Sequence, residues 1–349
     1  MLARSSEIAN RRLFYALHFD EGNLWRSGVF LCIECLFFTE DWDLEPSLKT
    51  QLRGLVRLTR WKEHLPFVVP LTVLGALLAV VNHDSLNLDW RLGAVIVGNF
   101  LVVAYAFMIN DIEDAPDDAR EADRASRNPI TCGEISVRTG YLACLVVALL
   151  TLGAFALAGG SALSVGAITL VLSHLYSWRL VRLKAWALTD VVSHSLMLSG
   201  LLLVAGYFTY DTQPGKVWLV AAAVTLVSVY GQLYNQLRDY AMDKAAGLHN
   251  TAIVLGEAPT KIVMYGCILL AVACLLIAIV QSVFPPWLGA VLIVSVPVSR
   301  LLSPNKGRDM RGTVSVDFSG SFQLQIMTAV NLTVAVWFAW VVVSQVFSL

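Results

Sequence analysis

The stretch Asn110–Asp118, NDIEDAPDD, ends a long apolar run with four residues whose oxygens can do chemistry: Asn110, Asp111, Asp114 and Asp118. On an α-helix, at about 100° per residue, they fall within roughly a quarter of the circumference, which aims three carboxylates into one volume. Carboxylates that close repel unless protons or cations neutralise them, and hard oxygen donors aimed at one point suit Mg²⁺. A second cluster, Asn235, Asp239 and Asp243, repeats the Asn-x3-Asp-x3-Asp spacing of Asn110, Asp114 and Asp118. Two facing clusters of this kind point to a metal-bridged diphosphate site. Solvated acidic loops are common, but each cluster here stands at the mouth of an apolar segment, where polar groups are functional candidates.

Cations accompany the acids. The loop Tyr176-Ser177-Trp178-Arg179-Leu180-Val181-Arg182-Leu183-Lys184 offers a phenol and three positive charges to phosphate oxygens, and Arg124 and Arg127 follow the first cluster. Each also fits ordinary basic-loop charge. Asp190 and His194 lie four residues apart inside an apolar segment, a spacing that lets them pair with each other in a structural role. His64 and His174 read as structural histidines. Cys32 and Cys35 form a lone C-x-x-C, which without a second pair reads as two buried thiols.

The elements that must position these groups are membrane helices. Hydrophobic residues make up 57% of the 349 and charged residues 15%, with a mean hydropathy of +0.66, too apolar for an ordinary soluble domain. No basic block with interleaved aromatics appears, which sets nucleic acid aside. Nine candidate spans run at approximately 65–82, 90–109, 139–158, 160–177, 186–208, 217–235, 262–281, 285–302 and 324–348, each long enough for roughly 30 Å of hydrocarbon. Of 25 Lys and Arg, only Arg91 and Lys216 fall in loops on the outer side of this arrangement. The charge rule then puts the N-terminus and both acidic clusters on the cytoplasmic face and the C-terminus on the opposite side. Before the first span, Val29–Phe38 is too short to cross, the segment 50–62 reads as a basic amphipathic helix at the headgroups, and no cleavable signal peptide is evident around Glu7, Asp20 and Glu21.

Together these residues resemble the UbiA superfamily of intramembrane prenyltransferases, from about Arg57 to the C-terminus. The family's N-D-x-x-D-x-x-x-D is filled by Asn110, Asp111, Asp114 and Asp118, and its D-x-x-x-D by Asp239 and Asp243, followed by Ala246-Gly247 and Thr251. Its tyrosine-then-lysine loop is matched by Tyr176, Arg182 and Lys184. The chain departs in reading Arg127-Asn128-Pro129 where many members have Asn-Arg-Pro, and in Asn235 where many have an acid. The resemblance implies an all-α bundle of nine transmembrane helices (residues 57–349) behind an N-terminal extension (1–56), with its active site opening to the cytoplasmic face.

It also implies a reaction. Mg²⁺ held by Asp111, Asp114, Asp118, Asp239 and Asp243 would neutralise a polyprenyl diphosphate, assisted by Asn110, Arg127, Tyr176, Arg182, Lys184 and Asn235. The prenyl group would pass as an allyl cation to an unidentified acceptor in a dry, lipid-open cavity. A terpene cyclase acting on the diphosphate alone, and a divalent-cation transporter with the acids as its ion path, are the alternatives.

Overall fold

The computed structural model describes residues 46–81, 87–213, 215, 217–245, 247–302, 307, 309, 314, 315 and 317–347. The run Val29–Phe38 and the Cys32/Cys35 pair lie outside these residues. In chain order, α1 (Leu48–Leu58) begins at a Ser47 cap whose hydroxyl accepts the Thr50 N–H, and it ends at Thr59. Arg60 takes a left-handed φ of 47° and turns the chain into α2 (Trp61–Val81). The single helix expected over 50–62 is therefore two helices; Arg53 and Lys62 are exposed, while Arg57 and Arg60 reach ion-pair partners in the bundle. Arg57 pairs with Glu134 and donates to the carbonyls of Ser126 and Arg127, while Leu48, Leu52 and Val56 form an exposed apolar face.

The bundle continues with α3 (Arg91–Asp118), α4 (Ala122–Arg127), α5 (Val137–Ala158), α6 (Gly160–Ser177) and α7 (Thr189–Phe208), the last interrupted by a π-helical turn at Leu196–Gly200. Then follow α8 (Val217–Arg238), the short α9 (Tyr240–Ala245) and α10 (Thr251–Leu255), α11 (Glu257–Val280), α12 (Leu288–Leu302) and α13 (Phe318–Phe347). Among the described residues, eight helices are long and apolar enough to cross a membrane: α2, α3, α5, α6, α7, α8, α11 and α13. The ninth expected span, 285–302, is represented by α12, whose 15 residues include Pro297; at 1.5 Å per residue it extends only about 22 Å. Several helices outrun their apolar segments. Hydropathy ends α3 at 109, yet the helix carries its polar residues on to Asp118, with Pro116 in the last turn.

Packing in lipid relies on small residues and buried hydrogen bonds. The helices α2 and α7 touch through Gly75 and Gly206; a Cβ at Gly75 would stand 2.0 Å from the Leu203 carbonyl, and one at Gly206 2.2 Å from that of Thr72. Buried Asn99 of α3 binds both, donating to Thr72 Oγ1 at 2.8 Å and the Leu202 carbonyl at 2.9 Å. Pro70 has no N–H to give the Pro66 carbonyl four residues earlier. Asn331 of α13 supplies the missing donor at 2.8 Å, which ties the last helix to α2. Outward, Leu149, Leu157, Ile168, Leu269 and Val280 are exposed, the surface of an integral, multi-pass membrane protein.

Contacts at the helix ends define two poles. At one, Arg60 meets the end of α3, Tyr141 of α5 meets Glu113, and Ser177 of α6 meets Asn110. At the other, Asp89 and Arg91 before and at the start of α3 meet Tyr210 and the Thr209 carbonyl beyond α7, and Gln345 meets Asn87.

Candidate functional site

The first acidic cluster lies at the first of these poles, and each carboxylate has its own partner. Asp111, 1% exposed, receives Arg60 on both oxygens, at 3.1 and 2.7 Å. Asp114 receives Lys184 Nζ at 2.6 Å and Arg182 at 3.2 Å, and Arg182 also reaches Asp117 at 2.9 Å. Lys184 donates a second bond to Asn110 Oδ1 at 2.9 Å. Asp118 accepts Asn128 Nδ2 at 2.9 Å, and the same amide group caps the Asp111 carbonyl at 2.7 Å. Behind them Glu113 accepts the Tyr141 hydroxyl and the Arg179 N–H.

Two of these cations come from left-handed residues. Arg60 (φ 47°) and Arg182 (φ 45°) each occupy a backbone region that costs a non-glycine residue about 1–3 kcal/mol and that persists where surrounding contacts hold it. The turn at Arg182 folds the loop after α6 back under α3, and a 3₁₀ turn, Leu183–Ala185, then presents Lys184. Burial pushes the Lys184 ammonium below the ordinary lysine value, and Asp114 opposes that shift.

The second cluster forms where α8 ends. The Arg238 guanidinium holds both oxygens of Asp239 at 2.9 Å and reaches Asp309 at 3.0 Å. Asp243 is buried and accepts Asn250 Nδ2 at 2.7 Å. Burial, then the neighbouring Asp239, raises the Asp243 carboxyl above the usual aspartate range; the Asn250 bond, Arg124 and Arg238 pull the other way. The Arg124 guanidinium is paired with Glu121 at 2.8 Å and exerts a minor electrostatic pull on Asp118 and on Asp243.

This geometry can be set beside known proteins. A model of the UbiA prenyltransferase family matches residues 68–312. The chain belongs to the UbiA prenyltransferase family. A UbiA homolog from Archaeoglobus fulgidus, solved with GPP and Mg²⁺, has the same fold: TM-score 0.64 at 22% identity, covering 82% of this chain and 98% of that one. Among sequence relatives, 4-hydroxybenzoate octaprenyltransferase of Pseudomonas aeruginosa is 28% identical over 48% of this chain, and digeranylgeranylglyceryl phosphate synthase of Methanopyrus kandleri 30% over 56%. The chain spans 55% of the first and 70% of the second, and 24% of the uncharacterized Sinorhizobium fredii protein y4nM, to which it is 32% identical.

Within this UbiA-family bundle the expected residues separate into those that meet and those that do not. Asn110, Asp114, Arg182 and Lys184 form one hydrogen-bonded group. The three carboxylates of the first cluster turn to different partners, Asp111 to Arg60, Asp114 to Lys184 and Arg182, and Asp118 to Asn128, and among the described residues no three His, Cys, Asp or Glu side chains are grouped closely enough to hold a metal ion. Asp111 is turned to Arg60 because a carboxylate with 1% exposure needs a charged partner. Asn235 is half-buried one turn before Asp239, whose N–H its carbonyl accepts. Arg127 is exposed, with its carbonyl bound by Arg57, and the Tyr176 ring stands 6.0 Å from that of His194.

Asp190 does not pair with His194. Its oxygens accept from Gln236, from Thr251 and from the Val191 N–H. His64 lies against Phe100 and Phe107 and contacts the Thr59 carbonyl, and His174 is bonded to Tyr105. Sequence reasoning missed Arg60, Asn128 and Arg238. Their signals were faint: a basic residue before a span, an asparagine before proline, and an arginine beside a motif acid.

The donor chemistry nevertheless fits a hard cation. Asp114, Asp118, Asp239 and Asp243 all offer carboxylate oxygens, the donors that Mg²⁺ prefers.

Proposed function

We propose that this chain catalyses Mg²⁺-dependent transfer of a prenyl group from an allylic polyprenyl diphosphate to an acceptor within the membrane. One observation carries the reading: two acidic helix ends share a pole of an apolar bundle, since the loop that meets Asp114 through Lys184 leads into Asp190, which is bonded to Gln236 just before Asp239. A diphosphate needs several positive charges close together, and its prenyl tail needs hydrocarbon; this pole borders both. The names of the relatives, a hydroxybenzoate octaprenyltransferase and a glyceryl phosphate synthase, and the GPP and Mg²⁺ in the A. fulgidus homolog support the same chemistry.

In this reading Asp114, Asp118, Asp239 and Asp243 hold the metal, with Asn110 and Asn235 beside them. Bound there, Mg²⁺ supplies neutralisation of the diphosphate and stabilises charge on the leaving group. Arg182 and Lys184 already stand against Asp114, and they take phosphate oxygens when that carboxylate serves the cation. Arg60 keeps Asp111 in place and so fixes the end of α3. The bundle below excludes water, which protects the allyl cation from hydrolysis. The chain crosses nine times, with the acidic pole and residue 57 on the cytoplasmic side and the catalytic domain spanning 57–349.

The test uses purified full-length protein in nanodiscs with farnesyl or geranylgeranyl diphosphate. It is run with and without Mg²⁺, and with 4-hydroxybenzoate, a glyceryl phosphate or no acceptor. The expected result is Mg²⁺-dependent diphosphate release and a prenylated acceptor by mass spectrometry. Asp114→Ala and Asp239→Ala each lower it at least about a hundredfold while inserting normally. Hydrocarbon products from donor alone would make the enzyme a cyclase, and undiminished turnover in Asp114→Ala would sink the assignment.

A further inference from the structure

Asp190 lies in the first turn of α7, 1% exposed, and touches neither acidic cluster directly. Three donors from outside its own helix converge on it. Gln236 Nε2 donates at 2.7 Å, the Thr251 N–H at 2.8 Å, and the Thr251 hydroxyl binds the other oxygen. The rest of the network is closed as well. Gln236 Oε1 accepts the Ala252 N–H at 3.0 Å, and Thr251 Oγ1 accepts the Leu188 N–H at 2.7 Å. These bonds fasten the start of α10 to two membrane helices.

What α10 carries explains why that matters. Its cap is Asn250, whose Oδ1 accepts the Ile253 N–H at 3.0 Å. The cap's amide nitrogen is the donor that holds Asp243 Oδ2 at 2.7 Å. Gln236 stands three residues before Asp239 on the other side of the same junction. Asp190 thus sits where the helix leading to Asp239 and the turn holding Asp243 are tied together.

We propose that Asp190 is a positioning residue for the second acidic cluster: through Thr251 and Asn250 it sets where Asp243 points, and through Gln236 how that point stands relative to Asp239. This rests on the reading of Asp239 and Asp243 as metal ligands. A carboxylate suits the task because it only accepts, and everything facing it here donates. An amide in its place turns an NH₂ either toward the Gln236 NH₂ and the Thr251 N–H, which share one oxygen, or toward the Thr251 hydroxyl and the Val191 N–H, which share the other, and at least one donor is left without an acceptor in a dry site. Changes behind metal ligands of this kind weaken metal affinity about 10- to 100-fold while the ligands themselves remain.

The experiment measures Mn²⁺ binding by EPR, with inorganic pyrophosphate present, on full-length protein in nanodiscs, beside its thermal melt and the Mg²⁺ dependence of diphosphate release. Asp190→Asn and Thr251→Val are expected to raise the half-saturating Mn²⁺ concentration about tenfold. Thr251→Ser, which restores the hydroxyl, is expected to return it to near the wild-type value. Thr251→Val keeps the side-chain volume and decides the question if Asp190→Asn folds poorly. Wild-type Mn²⁺ affinity in Thr251→Val, or equal affinities in the Val and Ser variants, overturns the inference. Wild-type protein that binds no Mn²⁺ and releases no diphosphate overturns the metal-diphosphate reading itself, and this inference with it.

Discussion

Asp114 is met by two cations, and they differ in how they will respond to pH. Arg182 stays protonated under any usable condition. Lys184, 14% exposed, is held by burial below the ordinary lysine value, so it gives up its proton sooner than a solvated lysine as pH rises. If Lys184 must be charged to hold phosphate, kcat/KM falls through that lowered value. Stability moves the other way. Between the lowered and the ordinary value the unfolded chain binds more protons than the folded one, so unfolding free energy rises with pH in that window. An alkaline loss of activity without an alkaline loss of melting temperature is therefore the expected signature. Lys184→Arg moves the activity limb to higher pH, and Lys184→Met removes the limb with most of the activity; profiles of kcat/KM and of melting temperature check both. Residue types and spacing were enough to single out Asp114, Arg182 and Lys184, which the fold brings into contact. They were not enough for Arg60 or Asn128, whose roles exist only because the fold brings position 60 to 111 and position 128 back to 111 and 118.

Helices were legible in the sequence wherever a long apolar run specified them, and less so where geometry departs from an uninterrupted span. Hydropathy finds the apolar part of α3 and misses the polar turns that continue to Asp118, which are the turns that carry Asn110, Asp111, Asp114 and Asp118. It also counts Pro285–Leu302 as a full span, although helix begins only at Leu288, after the Pro285-Pro286 break. The π-helical turn in α7 leaves no periodic signature at all. What the run of apolar residues cannot convey is which helices touch, and here glycine decides. Gly75 and Gly206 let α2 and α7 approach backbone to backbone, with the Asn99 amide bonded across them. Gly75→Ala forces the helices apart, since a Cβ 2.0 Å from a carbonyl oxygen has no flexible neighbour to displace. A cost of about 1–3 kcal/mol or more is expected, read as a lower melting temperature in detergent. Gly93→Ala, where nothing lies within 4 Å, is expected to melt as wild type or slightly higher, because alanine is the better helix former.

At the scale of the whole molecule, charge and chemistry are segregated together. Arg57, Arg60, Arg182, Lys184 and Arg238 all make their contacts at the acidic pole, whereas Arg91 binds Asp89 at the other. Loops rich in Lys and Arg remain cytoplasmic during insertion, so the acidic pole is expected to face the cytoplasm. Phe284 and Trp287 pack on Trp337 and Trp340 of α13, well toward the end where Gln345 meets Asn87, yet Asp309 is bonded to Arg238 at the acidic pole. Residues 287 and 309 therefore lie toward opposite poles, although the helix that begins at Leu288 is only 15 residues long. Single-cysteine proteins in sealed vesicles, labelled with a membrane-impermeant maleimide, make this measurable. Native Cys132, which is exposed beyond α4, and Val314→Cys are expected to react only when the cytoplasmic face is outward. Trp90→Cys and Gln281→Cys are expected to react only from the opposite face. Should Val314→Cys and Gln281→Cys label from the same side, α12 does not cross. Should Cys132 and Val314→Cys label from opposite sides, the Arg238–Asp309 pair cannot stand at the pole that holds Asp114, and the two acidic clusters lose their common site.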